Sequence, residues 1–178
     1  MKRTIHLDTD EINDLIEELN DYADSLTRKC QLFVQALADV GIKTAKANLG
    51  QYQGLIVFSK EVDVTETGAR AIMIATDGQK VIRSWKYHGG TKTVEVSPLL
   101  MAEFGSGWKA KVLDDVDGVG QGTFPGQTHA YDPWGWWWQD ENGVTHHSTG
   151  EAPTFPMHSA SLAMVYEMQR IAEEVFGG

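Results

Sequence analysis

Six histidines are the residues most able to do chemistry in this chain of 178 residues. His146 and His147 stand next to each other, with Glu151 shortly after them and His129 upstream, and imidazole and carboxylate groups are ligands that Zn²⁺ favours. The spacing matches no zinc motif such as His-Glu-x-x-His, and adjacent residues of a strand point to opposite faces. Only residue type supports a metal site here, so we predict none.

The other candidates for catalysis or ligand binding lack the spacing that their chemistry needs. Residues 114–118 (Asp-Asp-Val-Asp-Gly) contain neither the ligand spacing nor the closing Glu of a calcium loop. The glycine-rich run 118–122 follows no strand, precedes no helix and has no lysine placed for a phosphate. Ser106, between two glycines, is not in a nucleophile elbow, and Cys30 is interpreted as a packing residue within a helix. The sequence therefore predicts no enzyme activity and no cofactor.

An aromatic run is the most distinctive feature of the chain. Trp134, Trp136, Trp137 and Trp138 fall within five residues, and Tyr131 precedes them. A soluble protein seldom exposes so much contiguous aromatic surface unless another surface covers it. The run could be a platform for sugar rings, part of the chain's own core, or an interface with another protein. Because Trp and Tyr dominate contact energies between proteins, we favour an interface formed by these five residues and keep the other two alternatives open.

Composition sets limits on fold and partners. The chain has 42% hydrophobic and 22% charged residues, which is typical of one folded globular domain over residues 1–178. A formal net charge of −10 without a basic cluster argues against a nucleic-acid binder and against an anionic membrane surface. No apolar run suggests a signal peptide or a membrane span, and a single cysteine builds no disulfide framework. We therefore expect a protein made in the cytoplasm.

Hydrophobic periodicity predicts the elements that would position the aromatic run. Apolar residues spaced by three and four predict a long N-terminal helix over 8–49, in which Gly41 interrupts the pattern. Alternation predicts an antiparallel β-meander of three to four strands over 55–96, with Asp77-Gly78 as a hairpin turn. Ser97 and Pro98 begin a short helix over 97–104 that Gly105 ends with a positive φ.

A long loop over 105–152 is predicted to contain a tryptophan-rich β-hairpin. Asn142-Gly143 as a two-residue turn would pair Trp138 with His147, and Gln139 with His146. Trp136 and Trp138 would then share one face of the hairpin, and Trp137 would lie on the other. A loop of this length without a helix usually carries function or a partner contact.

The chain closes with a helix over 156–176, and the fold class predicted is α+β. The apolar stripe of this helix includes Val165 and Met168. We predict that the N-terminal and C-terminal helices both pack on one face of the meander, with Leu19 and Val165 in the core and Phe104 buried.

Three stretches of the sequence resemble a known family. Residues 101–107 (Met-Ala-Glu-Phe-Gly-Ser-Gly) are similar to the Glu-Phe-Gly-Ser/Thr motif of the minor structural proteins of long-tailed phages, which complete the tail or join it to the head. The Gly-Trp-Trp-Trp run resembles the family's aromatic segment, and residues 150–157 (Gly-Glu-Ala-Pro-Thr-Phe-Pro-Met) resemble its entry to the last helix. The motif residues are Glu103, Phe104, Gly105, Pro153, Phe155 and Pro156.

The resemblance implies a non-enzymatic virion protein made in the bacterial host. Such proteins fold as an antiparallel sheet with helices packed on it, and they assemble into rings, such as hexamers, that contact the tail tube and the neck or connector proteins. This chain has Thr154 where the family often has Gln, and it has a longer glycine-rich stretch after Trp108. The alternative to a ring-forming protein is a carbohydrate-binding module or a metal-dependent enzyme that uses the Trp/His hairpin.

Overall fold

A computed structural model describes residues 9–65, 68–87, 90–109, 132–140 and 142–177, and only the backbone of residues 85–87 and 92. The helices are α1 (Thr9–Ala47), α2 (Pro98–Phe104) and α3 (Pro156–Phe176), and two short 3₁₀ turns cover Gly50–Tyr52 and Gly107–Lys109. The strands are β1 (Ile56–Thr65), β2 (Gly68–Asp77), β3 (Val81–Tyr87), β4 (Gly90–Val96), β5 (Trp136–Gln139) and β6 (Thr145–Ser148). The predicted α+β class is confirmed, with a long first helix, a closing helix and antiparallel hairpins.

Gly41 does not break α1, because it lies at the closest approach between three elements. The residue is buried, and a Cβ built on it would lie 2.9 Å from the sulfur of Met164 in α3 and 3.1 Å from that of Met73 in β2. The interruption in the apolar pattern is therefore a contact point for α3 and β2, and the helix continues through it.

The strands form two sheets, and the prediction of one continuous meander is wrong in this respect. Among the described strands, β1 pairs only with β2, and the second sheet has the order β4-β3-β5-β6. Asp77 and Gly78 do not form the predicted hairpin turn: Gly78 lacks a positive φ, and its N–H donates to the carbonyl of Leu55 at 2.8 Å. The Asp77 carboxylate instead accepts a hydrogen bond from the N–H of Leu99 in α2 at 2.8 Å. These contacts direct the chain from the first sheet to the second.

The two long helices pack mainly on each other. α1 lies against β1 and β2, whereas the principal partner of α3 is α1, and the rings of Phe33 and Phe176 meet at 5.7 Å. The prediction that both helices lie side by side on the sheet is therefore correct for α1 only. α3 turns Ala160, Met164 and Ile171 inward.

One cluster of buried apolar residues lies where the first 3₁₀ turn, β1 and α2 meet. It contains Leu49, Tyr52, Ile56 and Ala102, with further apolar side chains packed around them. Leu19 is 58% exposed and Val165 is 61% exposed, so the prediction that both belong to the core is wrong. The apolar face of α3 is wider than the strip that α1 covers, and the pattern alone did not say which side is inward.

Candidate interaction surface

The two sequence motifs, although about 45 residues apart in the chain, meet in the folded protein. Ser106 and Glu151 exchange backbone hydrogen bonds, with N···O distances of 2.8 and 3.1 Å. Directly beside them, the carbonyl of Ala102 accepts hydrogen bonds from the N–H groups of Thr154 and Phe155. We call this contact between residues 102–107 and 150–158 the motif junction.

Glu103 supplies the cap that α3 lacks in its own sequence. The residue before the helix, Phe155, makes no side-chain cap and adopts a left-handed conformation with φ of 53°. The Glu103 carboxylate accepts hydrogen bonds from the N–H groups of Met157 at 2.8 Å and His158 at 3.1 Å. A carboxylate at this end of a helix also interacts favourably with the helix dipole.

Replacing Glu103 by alanine is expected to lower the free energy of unfolding by about 1–2 kcal/mol, because two N–H groups of α3 lose their acceptor. Glu103→Gln keeps one side-chain acceptor oxygen but no charge, so its loss should be smaller. Urea denaturation followed by circular dichroism measures both. Equal stability of the Glu103→Ala variant and the unsubstituted protein would contradict the capping role.

Close backbone contact at the motif junction explains two of its glycines. Gly105 ends α2 with a φ of 71°, as predicted, and a Cβ there would lie 2.4 Å from the carbonyl oxygen of Glu151. Gly150 has a φ of 93°, and a Cβ there would lie 1.9 Å from the carbonyl oxygen of Ser106. A side chain at either position would force the two motifs apart.

The motif residues therefore shape the interior. Pro156 is fully buried, Glu103, Phe104, Pro153 and Phe155 are half-buried, and the burial predicted for Phe104 is thus only partial. Tyr52 donates its hydroxyl to the Glu151 carboxylate, and burial together with this carboxylate raises the pKa of Tyr52. Two of the three stretches that resemble the phage family, residues 101–107 and 150–157, thus lie where α2 joins α3.

The tryptophan hairpin forms as predicted, but its register differs by one residue. Trp138 pairs with His146, and Trp137 pairs with His147. The N–H of Asp140 donates to the carbonyl of Val144 at 3.0 Å, so these two residues flank the turn, and Gly143 just before Val144 has a φ of 80°. Asp140 determines this register, because its carboxylate accepts hydrogen bonds from the N–H groups of Asn142 and Val144, both at 2.9 Å.

One face of the hairpin packs on its own domain. A Cβ on Gly107 would lie 2.7 Å from the ring of Trp136, so this indole lies directly over the motif junction. Trp138 stacks on His146 with ring centroids 4.5 Å apart, and both Trp136 and Trp138 are half-buried. The hairpin also joins the second sheet through the pairing of Lys86 with Gln139.

The other face of the hairpin is exposed in the described part of the chain. Trp137 is 70% exposed and meets the ring of His147 at 4.4 Å, and the Nε2 of His147 hydrogen-bonds the carbonyl of Trp134 at 2.7 Å. Trp134 is 85% exposed. Tyr131, the fifth residue of the predicted interface, lies outside the described residues. Trp134 and Trp137 thus form a candidate contact surface, which we call the open Trp face.

The histidines of the hairpin are engaged with neighbours inside the hairpin. His146 hydrogen-bonds Asp140 at 3.0 Å, on the face opposite to His147. Within the described part of the chain, no group of three or more His, Cys, Asp or Glu side chains is arranged to hold a metal ion. His129, the third histidine considered for zinc, is not among the described residues.

Acid should open the loop end of the hairpin. The hydrogen bond from His146, followed by those from the backbone, holds the pKa of Asp140 below its ordinary value of 3.8. Because the pKa is lower in the folded state, the stabilisation is complete above the ordinary value and is lost as pH falls through the folded pKa. NMR of the Trp138 indole should therefore show an acid transition that Asp140→Asn lacks. The same transition in both proteins would mean that Asp140 does not hold the loop.

Sequence patterns missed a second exposed apolar surface, on the first half of α1. The sequence predicts that Leu19 lies in the core, yet Leu19 and most of the apolar residues around it on α1 are exposed. We call these residues the free stripe, and they are Ile12, Leu15, Ile16, Leu19, Tyr22 and Leu26. The available signal was the alternation of three- and four-residue steps through Ile12, Leu15, Leu19, Tyr22 and Leu26, which is typical of helices that pair with helices.

None of the helices in the described ranges is both long and apolar enough to cross a membrane. No protein-family model matches the chain, and no curated protein or solved structure matches it either.

Proposed function

We propose that the chain is a non-enzymatic structural protein that assembles with copies of itself into a ring in the virion of a long-tailed phage. Its place in the particle would be the head–tail junction or the tail terminus, in contact with the tail tube and the neck or connector proteins. The phage assignment is drawn from the resemblance of residues 101–107, 134–138 and 150–157 to that family of minor structural proteins.

The observation that carries the assembly part of the proposal is the open Trp face. Two indoles, 70% and 85% exposed, are held on a hairpin whose opposite face is fixed to the domain by Trp136. Fully covering an indole removes about 150–250 Å² of surface from water, so Trp134 and Trp137 would contribute strongly to a contact. The free stripe of α1 adds a second uncovered apolar area.

A sugar-binding module is the second candidate, because exposed indoles such as Trp134 and Trp137 also stack on pyranose rings. The two candidates differ in what covers the open Trp face. A ring subunit should self-associate without any added ligand, whereas a sugar-binding module should stay monomeric and show quenched tryptophan fluorescence with an oligosaccharide.

Light scattering on the purified protein gives the molar mass that separates these candidates. We expect a multiple of 19.7 kDa, and negative-stain electron microscopy of the same sample should show closed rings. A mass of one chain across the micromolar range, with sugar-dependent quenching, would replace the ring by the sugar-binding module.

A further inference from the structure

The free stripe continues an interface that the structure already contains. α3 packs along the second half of α1 and ends at Phe176, next to Phe33. Toward the N terminus the same helix keeps its apolar row, but the row is exposed there, up to 67% for Tyr22. The apolar face of a helix is normally buried against another element. Because this exposed row continues the face that packs on α3, we expect another helix to cover it.

The spacing of the free stripe is that of a coiled coil. Ile12, Leu15, Leu19, Tyr22 and Leu26 follow steps of three, four, three and four residues, which are the a and d positions of a heptad repeat. Phe33 and Val40 continue the a positions into the part of α1 that faces α3. A repeat of 3.5 residues keeps the row of a and d residues facing a partner helix along its length, and we call this row the seam.

Charges on this half of α1 lie beside the seam or away from it. Residues 9–27 contain seven carboxylates and no lysine or arginine, and the carboxylates are those of Asp10, Glu11, Asp14, Glu17, Glu18, Asp21 and Asp24. Five of them fall at the outer c and f positions of the heptad, and only Glu11 and Glu18 fall at the flanking g positions.

A parallel partner with the same sequence fits this distribution. In that arrangement, each g residue faces an e residue of the partner helix, so Glu11 would face Ile16 and Glu18 would face Ala23, without two carboxylates meeting. Lys29 is at the next d position after Tyr22, where it would face its own copy in a parallel pair and Ile12 in an antiparallel pair that overlaps over residues 12–29, so the seam is taken to end at Leu26. Over residues 12–26, the parallel in-register pairing places apolar residues opposite each other at every a and d position.

We propose that the free stripe docks in parallel on the free stripes of other copies of this chain. Apolar e positions make the stripe wider than a two-helix seam, which favours more than two helices. This proposal rests on the proposed ring, because cyclic symmetry places equivalent helices parallel around one axis. The number of helices in the contact would then equal the number of subunits in the ring. The contact is separate from the open Trp face, so each can be removed alone.

Cysteine cross-linking tests this arrangement in a Cys30→Ser background. Ile12→Cys should form interchain disulfides under mild oxidation at least about tenfold faster than Glu17→Cys, which places the thiol on the outer face of the same helix. Equal rates, or cross-linking of Ile12→Cys only when mixed with Lys29→Cys, would overturn the parallel seam.

Salt dependence separates self-docking from binding of a basic partner. Raising ionic strength screens the carboxylates and should tighten docking between copies, whereas it would weaken attraction to a basic protein. Leu19→Glu should weaken self-association by about tenfold or more while circular dichroism and the thermal midpoint of the monomer stay unchanged, since Leu19 is exposed.

The failures of the two proposals are distinguishable. Rings that persist in Leu19→Glu, together with no Ile12→Cys cross-link, would contradict the parallel docking but not the proposed ring. A protein that stays monomeric at every salt concentration would contradict both proposals. Cross-linking of Ile12→Cys without closed rings would support the parallel docking and contradict the ring.

Discussion

Replacing Gly150 by alanine is expected to lower the free energy of unfolding by about 2–5 kcal/mol, the largest stability effect of any single substitution considered. A left-handed conformation costs a residue with a Cβ about 1–2 kcal/mol. The Cβ would also lie 1.9 Å from the carbonyl oxygen of Ser106, a backbone atom that cannot move without breaking the Ser106–Glu151 hydrogen bonds. Overpacking of this kind typically adds about 1–3 kcal/mol.

Gly54→Ala is the matched control for this prediction. Gly54 has a similar φ of 85°, but nothing lies within 4 Å of a Cβ built there. Its substitution should show the conformational cost alone, about 1–2 kcal/mol. Chemical denaturation measures the free energy of unfolding of both variants. Equal decreases would mean that the backbone at the motif junction shifts to accept the new Cβ at no additional cost.

Replacing Trp137 by alanine is expected to weaken self-association by about 30-fold or more and to leave the monomer folded. The indole is 70% exposed, so its loss should change the free energy of unfolding by no more than about 0.5 kcal/mol. A tryptophan at the centre of a contact contributes about 2 kcal/mol or more to binding, which corresponds to that change in affinity. Equilibrium sedimentation over a concentration series measures it.

Trp138→Ala provides the control on the opposite face of the same strand. This side chain is half-buried and stacked on His146, so its removal should destabilise the monomer by about 2 kcal/mol or more. The two variants should therefore separate assembly from folding. Unchanged self-association in Trp137→Ala, combined with a less stable monomer, would identify the open Trp face as ordinary core.

Together, the two substitutions test different parts of the proposed function. Gly150 belongs to the motif junction, whose contacts hold α2 to α3 and support Trp136. Trp137 belongs to the open Trp face, which is the surface proposed to meet another subunit. Two of the stretches that resemble phage structural proteins, residues 101–107 and 150–157, thus meet at the motif junction, whereas the third, residues 134–138, contains the exposed Trp134 and Trp137.

The sequence alone predicted the elements whose signals are local. The C-terminal helix was predicted over 156–176 and spans Pro156–Phe176, and the short helix ends at Gly105 with the expected positive φ. The tryptophan hairpin was found from Asn142-Gly143 and its flanking runs. Capping, periodicity and turn chemistry act within a few residues, so they can be deduced without knowing what the chain packs against.

Tertiary contacts decided what those signals left open. The N–H of Gly78 donates to the carbonyl of Leu55, and the Asp77 carboxylate accepts from the N–H of Leu99, so these distant partners replace the predicted hairpin turn. The one-residue shift of the tryptophan hairpin is different, because the Asp140 carboxylate that accompanies it bonds N–H groups only two and four residues away. An apolar stripe, such as the one through Leu19, predicts a helix that needs a covering surface but does not say whether its own chain supplies it. The motif junction, in which Glu103 caps a helix 54 residues later, depends on contacts distant in sequence, and no local pattern encodes them.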